Sequence, residues 1–219
     1  MNLEQINELT RIAYNKTADK YHEHFKNEIA QKEYDRLLLD KFSALLPPAS
    51  RICDAGCGPS GHIGKYLADK GHNVVGIDIS ERCVGIATSY NPQMEFRVMD
   101  MMKTEFEAES FDAILSFYSI IYTPKHYVDK IFAEFNRLVK PGGKVLVVVK
   151  KGTNEGIVDN AWYEGNPVQF THFMEHEIKD YFSNNDFDVD LFDVREPYDF
   201  EFNVDRIYAI GTKKSIASE

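Results

Sequence analysis

Arg51-Ile52-Cys53-Asp54-Ala55-Gly56-Cys57-Gly58-Pro59-Ser60-Gly61, followed by a helical stretch and then by Asn73-Val74-Val75-Gly76-Ile77-Asp78, reads as a strand, a glycine turn, a helix and a second strand that ends in an acid. A turn this tight needs positive φ or a missing Cβ, and glycine supplies both, so that a ligand can lie directly against the backbone. Asp78 stands 20 residues beyond Gly58. A carboxylate at the tip of the second strand is placed to accept hydrogen bonds from both hydroxyls of a ribose. The unit points to a bound nucleoside.

Around it the pattern is regular. Residues 3–45 read as helices, with Tyr34, Leu38, Phe42 and Leu45 at three- and four-residue spacing, and Pro47-Pro48 ends that section. Strand and helix patterns then alternate, as in a parallel sheet covered on both faces. Strands are expected over 51–54, 73–78, 95–100, 111–117 and 144–149, the last after the breaker Pro141-Gly142-Gly143. Helices are expected over 61–70, from the N-cap Ser80, and over 125–139. Toward the C-terminus a helix over 175–183 precedes two alternating stretches, 187–194 and 206–212, that read as an antiparallel pair. Residues 151–174, rich in Gly, Asn and aromatics, read as a long loop of the kind that serves as a lid or binding segment.

The 219 residues, 43% hydrophobic and 27% charged, suit one α/β domain: an N-terminal helical cap over 1–48, then a single domain over 49–219. The net charge of -10 repels phosphate backbones, and the basic pair Lys150-Lys151 is too small to override it, so no nucleic-acid partner is expected. Cys53, Cys57 and Cys83 lack paired metal-site spacing and read as packing residues. The N-terminus has neither a basic n-region nor an apolar h-region, which predicts a cytoplasmic chain with no membrane partner. Oligomeric state is not legible.

Gly56-Cys57-Gly58-Pro59-Ser60-Gly61 satisfies GxGxxG, so a nicotinamide or flavin dinucleotide is the first candidate ligand. Two details oppose a pyrophosphate. Asp54, two residues before the first glycine, faces the ligand with a negative charge, and Pro59 removes a backbone donor from the turn. A cationic or ammonium-bearing ligand fits that charge better.

Four stretches in order, Ile52 to Gly61, Val74 to Ser80, Phe111 to Tyr118 and Leu138 to Leu146, together resemble the class I S-adenosylmethionine-dependent methyltransferases of the small-molecule branch. The resemblance covers roughly residues 50–149, with weaker similarity from Gln169 to Phe187. It implies a Rossmann-like seven-stranded sheet, mostly parallel with its last strand antiparallel, and S-adenosylmethionine as cofactor with S-adenosylhomocysteine as product. It further implies that Asp54, Ala55 and the Gly56-Cys57-Gly58 backbone hold the methionyl part. Asp78 would take the ribose and Ile79 an adenine face, while Asp100 would take the adenine amino group, with Met101 and Phe117 beside the cofactor. Tyr21 resembles the family's N-terminal tyrosine that closes over it.

A sulfonium activates its methyl group for in-line displacement, so orientation supplies most of the catalysis, roughly 7 to 11 kcal/mol when the geometry is good. The expected partner is a small-molecule methyl acceptor with an O, N, S or C nucleophile. Tyr14, Tyr118, Tyr122 and Trp162 are the candidate acceptor contacts, each with aromatic packing as its other reading. His172 is the candidate general base for a hydroxyl acceptor, or a partly exposed structural histidine. His172-Phe173-Met174-Glu175-His176 formally matches HxxEH, but a helix starting near Met174 leaves His172 in the preceding loop, and no metal is expected. Two other functions compete: an NAD(P)-dependent reductase, and a non-catalytic module that binds the cofactor without transferring a methyl group.

Overall fold

A computed structural model describes residues 1–159 and 165–215. Helix α1 (Leu3–Phe25) begins at Asn2, whose side chain accepts from the Gln5 amide while Gln5 accepts from the Asn2 amide, a reciprocal capping box. A 3-10 turn (Glu28–Gln31) and α2 (Glu33–Ala44) lead into β1 (Arg51–Ala55). There follow α3 (His62–Ala68), β2 (Asn73–Asp78), α4 (Glu81–Tyr90), β3 (Glu95–Val98), β4 (Phe111–Phe117), α5 (Lys125–Leu138) and β5 (Val139–Lys150). The chain continues with β6 (Glu155–Asp159), β7 (Pro167–Thr171), α6 (Glu175–Asn184), β8 (Phe187–Arg195) and β9 (Arg206–Lys213).

Seven strands form one sheet in the order β3-β2-β1-β4-β5-β9-β8. The first five are parallel, and β9 runs antiparallel to both of its neighbours. Because the chain runs outward from β1 to β3 and then returns to place β4 on the other side of β1, the strand order switches between β1 and β4. Such a switch opens a crevice at the carboxyl ends of the strands. The sheet separates two apolar layers. Val145, Val147 and Val149 of β5 face α5 and α6 through Phe132, Phe135 and Phe182, whereas Leu146 and Val148 face α2 and α3 through Leu39, Phe42 and Leu67. Strands buried on both faces explain the unbroken aliphatic run in β5.

Three elements depart from the sequence reading. Strand β5 begins at Val139 and keeps Pro141-Gly142-Gly143 as an irregularity, the register to β4 jumping from Val139 opposite Phe111 to Lys144 opposite Ala113. Gly142 there has φ +76°, and a Cβ on Gly143 would lie 2.7 Å from the Asp112 carbonyl, so the two glycines let the strand kink without ending. Strand β3 stops at Val98, two residues early. The stretch 151–174 is not one loop: β6 and β7 pair antiparallel within it, and β7 packs against α1. Its expected aromatic Trp162 lies outside the described residues. Among the described residues no helix is long and apolar enough to cross a membrane.

Candidate functional site

The crevice at the strand ends is a cavity walled by the turns after β1, β2 and β4 and covered by α1. Its floor is the glycine turn. The amides of Gly56 and Cys57 both donate to the Ile77 carbonyl (2.8 and 2.9 Å), which folds the turn across the end of β2. Gly56 takes φ +81°, and a Cβ on it would lie 2.2 Å from Ser119 Cβ. Ser119 fills that space because its Oγ donates to the Ala55 carbonyl at 2.6 Å, tying the β4 turn to the β1 turn. Gly58 (φ +61°) has open space where its Cβ would stand and faces the cavity.

Four carboxylates line this cavity, Glu28, Asp54, Asp78 and Asp100, with no lysine or arginine among its described walls. Asp54 accepts from the Gly64 amide at 3.0 Å, and burial pushes its carboxyl up to about 7 against the pull of His62 and that amide. Asp78 accepts from the Gly58 amide (3.0 Å) through one oxygen and from the Ser80 amide (2.9 Å) through the other. Burial lifts it to about 6 even so. Asp100 is held by Asn7 Nδ2 (2.7 Å) and the Met102 amide (2.9 Å), and burial raises it as well. Glu28 behaves oppositely: burial would raise it, but His62 and Lys32, at 2.8 Å each, bring it down to about 2. The cavity is therefore a negative, largely dehydrated niche that favours a cationic ligand.

Aromatic rings close the other side. Tyr14 packs edge-on against Tyr21 and Tyr122 (5.8 and 5.2 Å between centroids), and Tyr21 stacks toward Phe25 (4.3 Å). Tyr118 adopts φ +55°, a conformation that costs a non-glycine residue of order 1 kcal/mol or more and turns its ring out of the strand line toward the cavity.

Thirteen residues expected from the sequence meet here: Tyr14, Tyr21, Asp54, Gly56, Cys57, Gly58, Asp78, Ile79, Asp100, Met101, Phe117, Tyr118 and Tyr122 all line the cavity. Ala55 does not; its side chain is buried in the sheet. His172 does not either. It follows β7, its amide bonded to the Asn154 carbonyl and its ring against Phe170, and burial together with Lys150 and Lys125 lowers its pKa. Helix α6 begins only at Glu175, so His172 and His176 share no helical face and the HxxEH match does not build a metal site. Asn7, Thr10, Glu28, His62, Ser119 and Thr123 also line the cavity and were not anticipated. Ser119 adjoins an expected tyrosine, and Glu28 with Lys32 has the spacing of a helical ion pair; Asn7 carried no signal, because only the fold of α1 over the sheet brings it to Asp100.

Comparison with known proteins agrees with this geometry. A family model described as a methyltransferase domain matches residues 52–143, the span from the glycine turn into β5. Over that span the chain is similar to S-adenosylmethionine-dependent methyltransferases. Among curated relatives, the 2-methyl-6-phytyl-1,4-hydroquinone methyltransferase of Synechocystis sp. is 41% identical over 108 residues, covering 47% of this chain and 32% of its own. The sterol 24-C-methyltransferase of Saccharomyces cerevisiae is 26% identical over 199 residues, covering 81% of this chain and 49% of its own. The chain thus spans at most about half the length of these curated relatives. Among solved methyltransferase structures, magnesium protoporphyrin IX methyltransferase from Synechocystis PCC 6803 with bound S-adenosylmethionine superposes with a TM-score of 0.72 at 16% identity, over 95% of this chain and 97% of that one. The 1,6-didemethyltoxoflavin-N1-methyltransferase of Burkholderia thailandensis gives 0.71 at 16% identity, over 98% and 92%. These likenesses cover the whole fold, N-terminal helices included.

Proposed function

We propose that the cavity binds S-adenosylmethionine and that the chain transfers its methyl group to a small-molecule acceptor, releasing S-adenosylhomocysteine. The observation that carries this reading is the set of four carboxylates around a glycine turn with no lysine or arginine among the described walls to meet a pyrophosphate. Asp54 receives the ammonium of the methionyl part, whose carboxylate meets the backbone of Gly56 to Gly58. Asp78 takes the ribose hydroxyls. Ile79, Met101 and Phe117 flank the adenine, and Asp100, fixed by Asn7, accepts from its amino group. Tyr21 and Tyr14 of α1 cover the methionyl end, residues 1–48 acting as a cap.

When bound, the sulfonium supplies an activated methyl carbon: the acceptor's lone pair forms the new bond as the carbon–sulfur pair returns to sulfur. The chain's part is to orient the acceptor along that line and to exclude water. Acceptors named for the relatives, a hydroquinone, a sterol and a magnesium porphyrin, are small molecules, and we carry that class over. Three free, buried cysteines suit a reducing cytoplasm.

The reading is tested by thermal melting with two ligands. S-adenosylhomocysteine at about 100 times its dissociation constant stabilises by about 2.7 kcal/mol, a rise in Tm on the order of 5 to 10 °C for a domain of this size. NADH at the same concentration leaves Tm unchanged. A rise with NADH and none with S-adenosylhomocysteine overturns the proposal.

The site's ionisation gives a second expectation. Asp54 and Asp78 titrate near 7 and 6 in the folded protein without ligand, above the value of about 3.9 in an unfolded chain. The folded state therefore binds these protons more tightly, and the two acids add stability as pH falls from about 7 toward 4. A bound ammonium needs the ionised form and pulls the other way. S-adenosylhomocysteine should then bind more weakly as pH drops through about 7, with proton release on binding near neutrality. Calorimetry in two buffers of different ionisation enthalpy measures that release; proton uptake instead would contradict the assignment of Asp54.

A further inference from the structure

Beside the first cavity lies a second, of ≈ 450 Å³, and the two share Tyr21, Glu28, Tyr118 and Tyr122 as their common wall. Its charge is reversed. Lys32, Lys150 and Arg206 face Glu28 and Glu201, three cations against two carboxylates. Both acids are already engaged: Glu28 and Glu201 pair with Lys32, and Glu201 also pairs with Arg206 and Arg195. Lys150, at the end of β5, forms no ion pair among the described residues. Its Nζ sits instead between two rings, 4.9 Å from the centroid of Phe170 and 4.7 Å from that of Phe202.

We propose that the methyl acceptor carries an anionic group, a carboxylate or a phosphate, on an apolar body, and that Lys150 holds that group in the second cavity. This deepens the methyltransferase reading and rests on it for the word acceptor. A partly dehydrated ammonium with no ion pair among the described residues is costly, and an anion brought by a ligand removes that cost. The amine's own titration agrees, since burial, Arg206 and Lys32 pull it down to about 8 against the weaker, opposite effect of Glu201. Phe202, Phe200 and Phe25 supply the apolar lining for the rest of the molecule. Glu28 stands at the seam and stays ionised, so it repels an anion from the cofactor side and fixes orientation: anionic end at Lys150, nucleophile toward Tyr118 and Tyr122. The chain's net charge of -10 makes this basic pocket a local exception rather than part of a basic surface.

Three probes of one shape test the idea on the full chain saturated with S-adenosylhomocysteine: 2-naphthoate, 2-naphthyl phosphate and the neutral 2-naphthamide, each titrated by its own fluorescence. At least one anion should bind about tenfold or more tighter than the amide, and whichever wins identifies a carboxylate or a phosphate acceptor. Lys150→Met should abolish that preference and Lys150→Arg retain it, with S-adenosylhomocysteine affinity within about twofold of wild type in both. Amide binding as tight as both anions, no anion binding up to about 1 mM, or an unchanged preference in Lys150→Met overturns the proposal. Should Lys150→Met not fold, acetylation of Lys150 in the wild-type protein decides: the tighter anion slows it if the assignment holds, and an unaltered rate sinks it. Failure of S-adenosylhomocysteine to bind would instead strike the methyltransferase reading, so the two failures are told apart.

Discussion

Asp78→Ala is expected to weaken S-adenosylhomocysteine binding by more than about tenfold. A carboxylate offers about four acceptor sites, and Asp78 accepts from the amides of Gly58, Ser80 and Ile79. Those bonds fix the carboxylate so that it can also accept from ribose hydroxyls. Hydrogen bonds to an ionised group contribute about 1.5 to 3 kcal/mol each, and about 1.4 kcal/mol is already tenfold, so losing even one contact reaches the expected size. Alanine also strips the Gly58 amide of its acceptor, loosening the turn that carries the methionyl end. Isothermal titration calorimetry measures the change, with circular dichroism to confirm that the variant folds. A folded Asp78→Ala that binds as the wild type does would remove the ribose assignment, and Asp78→Asn, which keeps one acceptor, should fall between.

Gly56→Ala is expected to have the largest effect on stability, a loss of about 2 to 5 kcal/mol, from left-handed strain of about 1 to 2 and overpacking of about 1 to 3. The strain follows from φ +81°, and the overpacking from a Cβ placed 2.2 Å from Ser119 Cβ. Ser119 cannot swing away cheaply, because its hydroxyl bridges the Ala55 carbonyl and Ser116. At about 2 to 4 °C per kcal/mol, Tm falls by at least about 4 °C. Gly58→Ala is the control two residues away: its Cβ meets open space at φ +61° on the cavity side. It should therefore carry the left-handed strain of about 1 to 2 kcal/mol without the overpacking, and cost affinity for the cofactor besides. Equal melting temperatures for Gly56→Ala and wild type would mean that the turn and Ser119 are not packed as described.

What could be read from the chain follows from where side-chain polarity and burial agree. Val145 to Val149 are buried on alternating faces and all aliphatic, so β5 announces itself, and Ser80 caps α4 through its bond from the Cys83 amide, as its position before an acid-led helix suggests. In β6 and β7 polarity and burial are inverted. Ile157 and Val158 are exposed while Gln169 and Thr171 are buried, and the hairpin consequently reads as loop. The same divide runs through the site. Asp54 and Asp78 fall at the ends of strands and Asp100 two residues past one, where a parallel sheet presents its ligand positions. Glu28 and Asn7 reach the cavity only through the path of the N-terminal helix, and no local pattern encodes that path. Lys150 was visible only as half of a short basic pair; its meaning needed Phe170 and Phe202 around it and the two acids of its cavity, Glu28 and Glu201, already paired.

Helix α1, which covers the first cavity through Asn7, Thr10, Tyr14 and Tyr21, is tied to α4 by exposed charge: Arg11 and Asn15 to Glu81, and Asp19 to Arg82. Exposed pairs of this kind are individually weak and screened by salt. The roof of the nucleoside chamber is thus fastened by electrolyte-sensitive clasps at its rim and by the packing of Tyr14 and Ala18 on Cys83 beneath them, while its floor is fixed by backbone amides that salt does not reach. On the proposed function, added salt is expected to loosen the rim of that roof and quicken release of the spent nucleoside while leaving the floor unchanged.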